Sequence, residues 1–473
     1  MTRSAILFSA RTLPRQPFRF DELMQVDRDK TTKQIVVIGA GASGMMAAGR
    51  AGELGARVLL LEKTERPGNK LRLSGRSRCN LTNASDLETF ITMYGPNGRF
   101  LYSAFHQFFR DHLLALLLRY GVRTDVETDG RIFPVSNCAD DVVRALERYI
   151  SEGGVRLITR ASVLAIRAAR GRVIGVRTDH LEYPASAVVL ATGGATYPET
   201  GSSGDGYRLA SALGHTIVKP RPALVPLIVQ ESGLARSMQG VSLGSVRLTA
   251  YQCPADEINP SLSPTRDYGR GIAGKKPPPT IIESRTGEML VTHFGISGPV
   301  TLLMSLAVAD ALEHGPVSVS IDLFPHLSEE QLRQRLQGDF DRYSKRGIRH
   351  LLDGLLPGKM IDPLIRMAGI PSDRLGSQVV AGERDRLLHL LKSLRFNIKG
   401  PRPMASAMVT AGGVSLEEVD PQTMASRLVK GLFLCGEVID LDGASGGYNL
   451  QAAFSTGYVA GEHASRRVFG KAK

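Results

Sequence analysis

Three glycines near the start of the chain have the spacing of a turn that binds phosphate. Gly39, Gly41 and Gly44 follow an apolar run and precede a Met-Met-Ala-Ala segment that favours a helix. In such a strand–turn–helix unit the first glycine permits a tight turn and the second lets the backbone approach a pyrophosphate. The third lets the helix pack on the strand, and the N–H groups at the helix start bind the phosphates. This part of the chain is therefore predicted to bind a dinucleotide.

An acidic residue ends the next apolar run, where a dinucleotide-binding fold places its ribose ligand. The run Arg57–Leu61 has the pattern of a second strand, and Glu62 follows it, eighteen residues past Gly44. A carboxylate at this position accepts hydrogen bonds from both hydroxyls of an adenosine ribose and repels a 2′-phosphate. A further apolar strand, Ala187–Leu190, continues into a glycine pair and is expected to complete the adenosine side of the site.

The C-terminal part of the chain carries a second stretch of this kind. An apolar strand ends at Gly436-Glu437, a glycine-rich turn covers residues 443–447, and a helix is predicted to begin at Tyr448. In flavin proteins built from two such stretches, the acid holds the ribityl chain and the helix N-terminus faces the pyrimidine end of the isoalloxazine. The partial positive charge of the helix stabilises the anionic reduced flavin by about 0.3–2 kcal/mol. The chain has no second G-x-G-x-x-G motif, so a separate NAD-binding domain is not expected. FAD is therefore predicted as the tightly bound cofactor, and NADH or NADPH as a transient donor.

Composition and charge limit the class of protein. The 473 residues exceed one ordinary core, and no apolar run reaches the roughly 18 residues that cross a bilayer. The four cysteines form no C-x-x-C pair, which favours a reducing, cytoplasmic location and argues against a disulfide framework or a bound metal. The net charge of +13 suits a polyanionic partner, although it is also compatible with a plain solvated basic surface.

Changes in residue pattern along the chain divide it into segments. We expect an α/β fold, in which a Rossmann-like FAD/NAD(P)-binding domain of glutathione-reductase type is interrupted by a β-barrel and a helical insert. Residues 1–32 are predicted to be a disordered extension, although residues 1–20, which contain four arginines and no acid, also resemble a transit peptide. The FAD domain is predicted over 33–215 and 404–473, the barrel over 216–327 and the helical insert over 328–403.

Five further stretches are similar to one known family. They are GNKLRLSGRSRCNLTN at 68–83, GRIFPVS at 130–136, ATGGATYP at 191–198, GEMLVTHFGISGP at 287–299 and VTAGGV at 409–414. On these motifs the chain resembles the BaiN/RdsA (YhiN-like) family of FAD-dependent oxidoreductases, from about residue 33 to residue 461. It departs from the family at Ser77, where the family usually has glycine.

The resemblance implies an NAD(P)H-dependent reductase of an activated carbon–carbon double bond. One branch of the family resembles enzymes that form dihydrouridine in large-subunit ribosomal RNA, and another acts on steroid-like enones. The basic charge balance favours RNA, so uridine in 23S ribosomal RNA is the preferred substrate. A small-molecule flavin reductase, an amine oxidase and a redox-regulated flavin-containing binding protein remain alternatives, and the oligomeric state is open. The residues expected to bind the cofactor are Gly39, Gly41, Ala42, Ser43, Gly44, Glu62, Lys63, Lys70, Ser74, Arg78, Cys79, Asn80, Ala191, Thr192, Gly193, Gly436, Glu437, Gly446, Gly447, Tyr448, Asn449 and Leu450.

Reduction of uridine needs a hydride at C6 and a proton at C5, so the protein must provide an acid. Cys79 is the first candidate, because its loop is expected over the flavin and a thiol of ordinary pKa is protonated yet transferable near neutral pH. A small buried residue packed under the cofactor is the alternative role for Cys79. Tyr197, His293 and Tyr448 are the other candidates, and His293 also has the pattern of a hydrogen-bonded core histidine.

A uridine in folded RNA must be splayed out of its stack, which requires a basic surface with aromatic faces. Two segments have this composition, and each also has a simpler interpretation. The segment in the helical insert would otherwise be a solvated helix face, and the segment in the barrel loop a mobile linker. The candidate RNA-binding residues are Arg342, Tyr343, Lys345, Arg346 and Arg349 in the insert, and Arg266, Tyr268 and Arg270 in the loop.

Overall fold

The computed structural model describes residues 33–258 and 279–470. The predicted N-terminal extension and the candidate residues Arg266, Tyr268 and Arg270 lie outside the described residues. The strands are β1 (Gln34–Ile38), β2 (Arg57–Leu61), β3 (Thr82–Asn83), β4 (Thr124–Val126), β5 (Arg131–Pro134), β6 (Arg156–Ile158), β7 (Val163–Ala169), β8 (Arg172–Thr178), β9 (Glu182–Pro184), β10 (Ala187–Leu190), β11 (Ile217–Ala223), β12 (Leu227–Val229), β13 (Ser242–Tyr251), β14 (Ile281–Thr292), β15 (Gly295–Ser297), β16 (Ser318–Asp322), β17 (Leu394–Pro401), β18 (Val409–Val414) and β19 (Leu432–Leu434). The α-helices are α1 (Ala42–Glu53), α2 (Asn69–Leu73), α3 (Leu87–Thr92), α4 (Tyr102–Gln107), α5 (Arg110–Arg119), α6 (Ala139–Glu152), α7 (Asp205–Ser211), α8 (Ser232–Ser237), α9 (Pro299–Leu312), α10 (Glu329–Arg342), α11 (Ile348–Leu352), α12 (Gly358–Met367), α13 (Ala381–Lys392) and α14 (Tyr448–Phe469).

Five parallel strands form the central sheet in the order β19-β10-β1-β2-β6. Val36 at the centre of β1 is in register with Val188 of β10 and Leu59 of β2. These strands are continuous apolar runs because both faces of the sheet are covered, one by helices α1, α6 and α14 and the other by the β7-β8-β9 sheet. The sheet, with a strand, glycine turn and helix at its centre, confirms the predicted Rossmann-type α/β fold.

Helices α1 and α14 pack closely beside this sheet. A Cβ atom added to Gly457 would lie 2.3 Å from the carbonyl oxygen of Ser43, and one added to Gly461 would lie 2.2 Å from that of Ala47. The two glycines therefore let the last helix approach the backbone of the first. This contact joins the two predicted cofactor-binding stretches, which lie about 400 residues apart in the sequence.

The sequence predicts one helix near residues 101–120, whereas the structure has two, α4 and α5. Phe108 adopts an extended backbone conformation between them. The rings on either side of the break pack in different places: Phe108 stacks on Tyr458 with centroids 4.4 Å apart, and Phe109 meets Phe90 edge-on at 5.0 Å. Burial of two adjacent aromatic rings in separate clusters accounts for the interruption.

The inserted part of the chain contains a closed barrel with the strand order β12-β15-β14-β13-β16-β17. The sequence places the barrel before the helical segment, but helices α10 to α13 lie between barrel strands β16 and β17. Strand β17 pairs antiparallel with β16, with Val319 opposite Phe396. Barrel residues such as Phe396 share one hydrophobic core with insert residues such as Leu336 and Leu364, so barrel and helices form one unit.

A two-stranded antiparallel sheet of β11 and β18 carries the chain out to the barrel and back. Ala223 is in register with Val409, and Ile217 with Val414. The sheet therefore lies at the junction between the FAD-type domain and the inserted unit. No helix in residues 33–258 or 279–470 is long and apolar enough to span a membrane.

Candidate functional site

The glycine turn after β1 is open on one side and tightly packed on the other. A Cβ atom on Gly39 would lie 2.6 Å from the carbonyl oxygen of Ala191, and one on Gly44 would lie 1.8 Å from that of Gly39. A Cβ atom on Gly41, in contrast, would meet no heavy atom within 4 Å. Gly41 is the N-cap of α1, and no side chain caps that helix. The turn therefore has the free space and free N–H groups that a pyrophosphate requires.

Glu62 lies beside this turn, as predicted, and only 8% of it is exposed. One carboxylate oxygen accepts the N–H of Ala40 at 2.8 Å, and the other accepts the N–H and hydroxyl of Thr64 at 2.9 and 2.8 Å. Two carboxylate oxygens have about four acceptor sites in total, so the group retains capacity for a hydroxyl. Lys63 points elsewhere and binds Asp205 at 2.5 Å.

Glu437, at the end of the second stretch, is the centre of a polar cluster built from four segments. Its carboxylate accepts hydrogen bonds from Lys70 Nζ at 2.5 Å, the Thr410 N–H at 2.8 Å and the Thr196 hydroxyl at 3.3 Å. Lys70 Nζ also lies 2.6 Å from Thr196 Oγ1, and Thr410 Oγ1 accepts the N–H of Ala195 at 2.9 Å. Thr196 and Thr410 were absent from the predicted site, although both lie in the family-like motifs.

The two cofactor stretches meet at Gly436. Its N–H donates to Thr456 Oγ1 on α14 at 3.0 Å, and a Cβ atom there would lie 2.4 Å from the hydroxyl oxygen of Ser43 on α1. The predicted residues Gly436 and Ser43 are thus adjacent. Their contact brings the phosphate-binding turn next to the strand end that carries Glu437.

The N-terminus of α14 is free of a side-chain cap and is preceded by Gly446 and Gly447, with φ of +132° and +97°. The amide of Asn83 donates to the Gly446 carbonyl at 3.1 Å, and the Asn80 amide lies 3.0 Å from the Gly447 nitrogen. Asn449 binds the turn itself, through Gly443 N–H and C=O at 2.8 and 2.7 Å. Asn80 and Asn449 therefore position the helix N-terminus.

The loop that precedes Asn80 has an unusual backbone. Gly75, Arg76, Ser77 and Cys79 have φ between +58° and +66°. Left-handed conformations of non-glycine residues cost about 1–3 kcal/mol each and are typical of functional sites. At Ser77 the structure explains why glycine suits the position better. The adjacent Ser74 hydroxyl donates to the Leu71 carbonyl at 2.7 Å, which helps to close the loop.

The structure contradicts the premise on which Cys79 is predicted to be the proton donor. Its side chain is fully buried in the core beside Leu71 and Leu81. Burial raises the pKa of the Cys79 thiol to about 12, against a weaker opposite effect of Ser74. A thiol with that pKa is a poor acid near neutral pH. Cys79 therefore lies in the core, in agreement with the alternative prediction of a small buried residue at this position.

Two other predicted residues, Tyr448 and Arg78, have structural partners. Tyr448 is 5% exposed, its ring meets Phe90 edge-on at 4.6 Å, and its hydroxyl lies 3.3 Å from Ser85 Oγ. The Arg78 guanidinium lies over the Phe133 ring at 4.0 Å and binds Glu127 at 2.5 Å. These contacts hold both side chains in place within the FAD-type domain.

Tyr197 and His293 differ from these two in accessibility. Tyr197 is partly buried with φ of +52°, and burial followed by the charge of Glu199 raises the pKa of its hydroxyl. His293 is exposed at the turn between β14 and β15, so the core-histidine alternative is wrong. Its ring meets Phe294 edge-on at 4.9 Å, and Phe294 in turn lies under Arg402 at 4.8 Å.

A carboxyl group omitted from the predicted site lies before α14. Asp442 is partly buried and accepts no hydrogen bond from the described residues. Burial raises the pKa of Asp442 to about 6; Asp440 acts in the same direction and Arg221 opposes it. Burial also raises the pKa of Asp440, whose carboxylate accepts the Gly412 N–H. Asp440 and Asp442 are two residues apart, and nothing in the sequence indicates that the Asp442 carboxyl group alone lacks a hydrogen-bond donor among the described residues.

The predicted basic surface of the insert is exposed at the end of α10. The guanidinium groups of Arg342 and Arg346 lie 5.4 and 5.3 Å from the centroid of the Tyr343 ring. Arg342, Lys345 and Arg346 are exposed and make no ion pair within the described part of the chain, whereas Arg349 binds Asp362 at 2.8 Å. In residues 33–258 and 279–470 no group of three or more His, Cys, Asp or Glu residues could hold a metal.

Comparison with known proteins places this geometry in a family context. The model of the HI0933-like protein Rossmann domain matches residues 33–463. A 3-dehydro-bile acid delta(4,6)-reductase of Clostridium scindens is 32% identical over 92% of this chain and 99% of that protein. Ribosomal RNA dihydrouridine synthases of Haemophilus influenzae and Escherichia coli are each 28% identical, over 91% and 90% of this chain and 98% and 96% of their own lengths.

Two solved structures align over most of this chain at low identity. Quinol fumarate reductase of E. coli aligns with a TM-score of 0.46 and 18% identity, over 92% of this chain and 70% of its own. A 3-ketosteroid-delta4-(5alpha)-dehydrogenase of Rhodococcus jostii aligns with a TM-score of 0.46 and 15% identity, over 93% and 99%.

Proposed function

The chain belongs to the HI0933-like family of Rossmann-type oxidoreductases, and from that premise we propose that it uses NADH or NADPH to reduce an activated carbon–carbon double bond. The observation that carries the proposal is the full-length similarity to relatives whose names describe addition of two hydrogens to such a bond. The 5,6 bond of uridine and the conjugated bonds of an oxo-bile acid share one electronic feature, a carbonyl group that withdraws electrons from the alkene.

The residues that would hold FAD fit the cofactor in three places. The turn at Gly41 has room for a pyrophosphate, Glu62 retains acceptor capacity for a ribose, and the α14 N-terminus is uncapped. When bound, FAD supplies two-electron hydride chemistry. The protein's part is to bind the cofactor, orient it and exclude water from its reactive face.

The charges around the site suit an electron-rich cofactor. The N-terminal dipole of α14 provides positive potential at the helix start, whereas the charge of Lys70 is paired with Glu437. The left-handed loop from Gly75 to Cys79 leads into Asn80, whose amide lies 3.0 Å from the Gly447 nitrogen at that helix start. The helix dipole favours the negative charge that develops during reduction.

We favour uridine in large-subunit ribosomal RNA as the substrate. The chain carries a net charge of +13, and the exposed cations around Tyr343 form a basic surface with an aromatic face. Phosphates bind to such cations, and a splayed base stacks on a tyrosine or arginine plane. The basic surface supports RNA over a neutral small molecule, because a neutral enone has no phosphate groups for these cations to bind.

A small enone is the second candidate, supported by the higher identity to the bile acid reductase than to the two synthases. Both candidates need the same redox chemistry and differ in what the inserted unit recognises. Steep loss of binding with salt is expected for RNA and not for a neutral steroid.

A rapid-reaction experiment separates these possibilities. FAD-loaded protein is first bleached anaerobically with NADH or NADPH, then mixed with a large-subunit rRNA transcript or a 3-oxo-4-ene steroid. We expect the rRNA to reoxidise the flavin and to contain dihydrouridine by mass spectrometry. Reoxidation by the steroid alone selects the second candidate. Failure of both acceptors refutes the proposal, and absence of bleaching refutes a nicotinamide donor.

A further inference from the structure

We propose that Asp442 is the carboxylic acid that delivers the proton in this reduction. The inference rests on the proposed function, and it fills the role that the burial of Cys79 leaves open. It depends on where the carboxyl group lies, on what surrounds it and on what it fails to bind.

Asp442 lies where the two units of the protein meet. It is between Glu437, which ends the second cofactor stretch, and the N-terminus of α14. The N–H of Asp440, two residues earlier, donates to the Val414 carbonyl at the end of linker strand β18 at 2.9 Å. Arg221 on linker strand β11 pairs with Asp310 on barrel helix α9, and the charges of both act on the Asp442 carboxyl group. Ligand sites favour such interfaces, so a substrate that contacts both the cofactor and the inserted unit would reach Asp442 from this junction.

The loop that carries Asp442 is rigidly attached to the helix start. The Asn449 side chain accepts the Gly443 N–H and donates to the Gly443 and Ala444 carbonyls. Tyr94 packs against Gly443, since a Cβ atom there would lie 2.7 Å from its ring. A group on a pinned loop keeps its orientation through a reaction, as proton transfer requires.

The surroundings of Asp442 favour the protonated form. Its charged neighbours are Asp440 and Glu437 from the FAD-type domain, with Asp310 and Arg221 from the opposite side. The single cation, Arg221, is already paired with Asp310. Like charges and burial disfavour ionisation, and no donor among the described residues binds the carboxyl oxygens to reverse this. An acid that is protonated just below neutral pH suits general acid catalysis.

The proposed step balances in atoms and charge. NADH or NADPH is oxidised overall to NAD⁺ or NADP⁺ by loss of a hydride, and that hydride forms a C–H bond at the alkene carbon farther from the carbonyl. The alkene π electrons then form a C–H bond at the neighbouring carbon as the Asp442 O–H bond breaks. Asp442 is left as a carboxylate and regains its proton from water.

The test compares the variant D442N with D440N, in which a neighbouring carboxylate that binds the Gly412 N–H is changed instead. In anaerobic stopped flow, D442N should slow reoxidation by the accepted substrate about 100-fold or more, which is the usual contribution of a general acid. Reduction by NADPH and reoxidation by dioxygen should stay within about twofold, because neither uses this proton. D440N keeps the proton donor but removes a like charge that raises its pKa, so it should slow reoxidation by the substrate far less than D442N, shift the pH profile of that step to lower pH, and leave the other two rates unchanged.

A second readout is independent of activity. Infrared difference spectra of the cofactor-free protein, recorded as the pH is changed, should show a protonated carboxyl that titrates near pH 6 and is missing in D442N but present in D440N. The proposal is overturned if D442N is reoxidised as fast as D440N, or if no such carboxyl exists. If neither rRNA nor steroid reoxidises the unchanged protein, the proposed function fails, and the proton-donor role falls with it. The infrared titration then decides separately whether Asp442 is an acid poised near neutral pH.

Discussion

Replacement of Gly41 by alanine separates cofactor binding from folding. Gly41 has φ of −81° and ψ of −168°, which alanine also adopts, and its Cβ would meet no protein atom within 4 Å. G41A should therefore leave the cofactor-free fold intact and change its free energy of unfolding by less than about 1 kcal/mol, because the gain of about 0.4–1 kcal/mol through the unfolded chain is offset by the poorer fit of alanine at a helix N-cap. The added methyl group occupies the space into which a pyrophosphate must approach.

The loss of affinity follows from the hydrogen bonds displaced. A hydrogen bond to a charged group contributes about 1.5–3 kcal/mol, so loss of two weakens FAD binding by about 3–6 kcal/mol, or roughly 10²–10⁴-fold. Isothermal titration with FAD measures the affinity, and urea unfolding of the cofactor-free protein measures stability. G44A is the contrasting variant, because its methyl group would lie 1.8 Å from the Gly39 carbonyl oxygen and should destabilise the fold itself. FAD affinity of G41A equal to that of the unchanged protein would refute the assignment of this turn.

Three further predictions concern stability, pH and RNA. S77G should raise the free energy of unfolding, measured in urea, by up to about 1 kcal/mol. Relief of the left-handed strain, about 1–2 kcal/mol, exceeds the entropic cost of ordering a more flexible glycine, and a lower free energy of unfolding would contradict this. Because the pKa of Asp442 is raised in the folded state, the unchanged protein should lose stability relative to D442N as the pH rises from about 4 through 6. The expected loss is about 1–2 kcal/mol after allowance for partial exposure, and parallel curves of unfolding free energy against pH for the two proteins would rule it out. The double variant R342E/R346E should weaken rRNA binding and reduce the steepness of log affinity against log salt concentration by about 2. R366E on α12 should leave that slope nearly unchanged, and equal slopes for the unchanged protein and both variants would exclude this surface from RNA binding.

Local patterns predicted the strand, turn and helix of each candidate cofactor stretch, because neighbouring residues determine these elements. The glycine turn needs Gly39, Gly41 and Gly44 at fixed spacing after a strand, and Glu62 follows the next strand directly. The continuous apolar runs of β1 and β2 could be identified because a parallel sheet covered on both faces excludes polar residues.

Features that depend on distant contacts escaped prediction. Thr196 and Thr410 join Glu437 only because three remote segments converge, and neither residue type signals this in isolation. Strand β17 completes the barrel after the helical insert, since its pairing with β16 skips about 70 residues. The burial of Cys79 follows from a left-handed loop that composition alone does not reveal.

The central claim is tested most directly by a mass-spectrometric survey of ribosomal RNA nucleosides from cells with and without the gene. The proposed function predicts that dihydrouridine disappears from large-subunit rRNA on deletion and returns when the unchanged gene is restored. A gene encoding D442N should fail to restore it, while D440N should succeed. Dihydrouridine that persists at full level in the deletion strain would contradict the proposed RNA substrate.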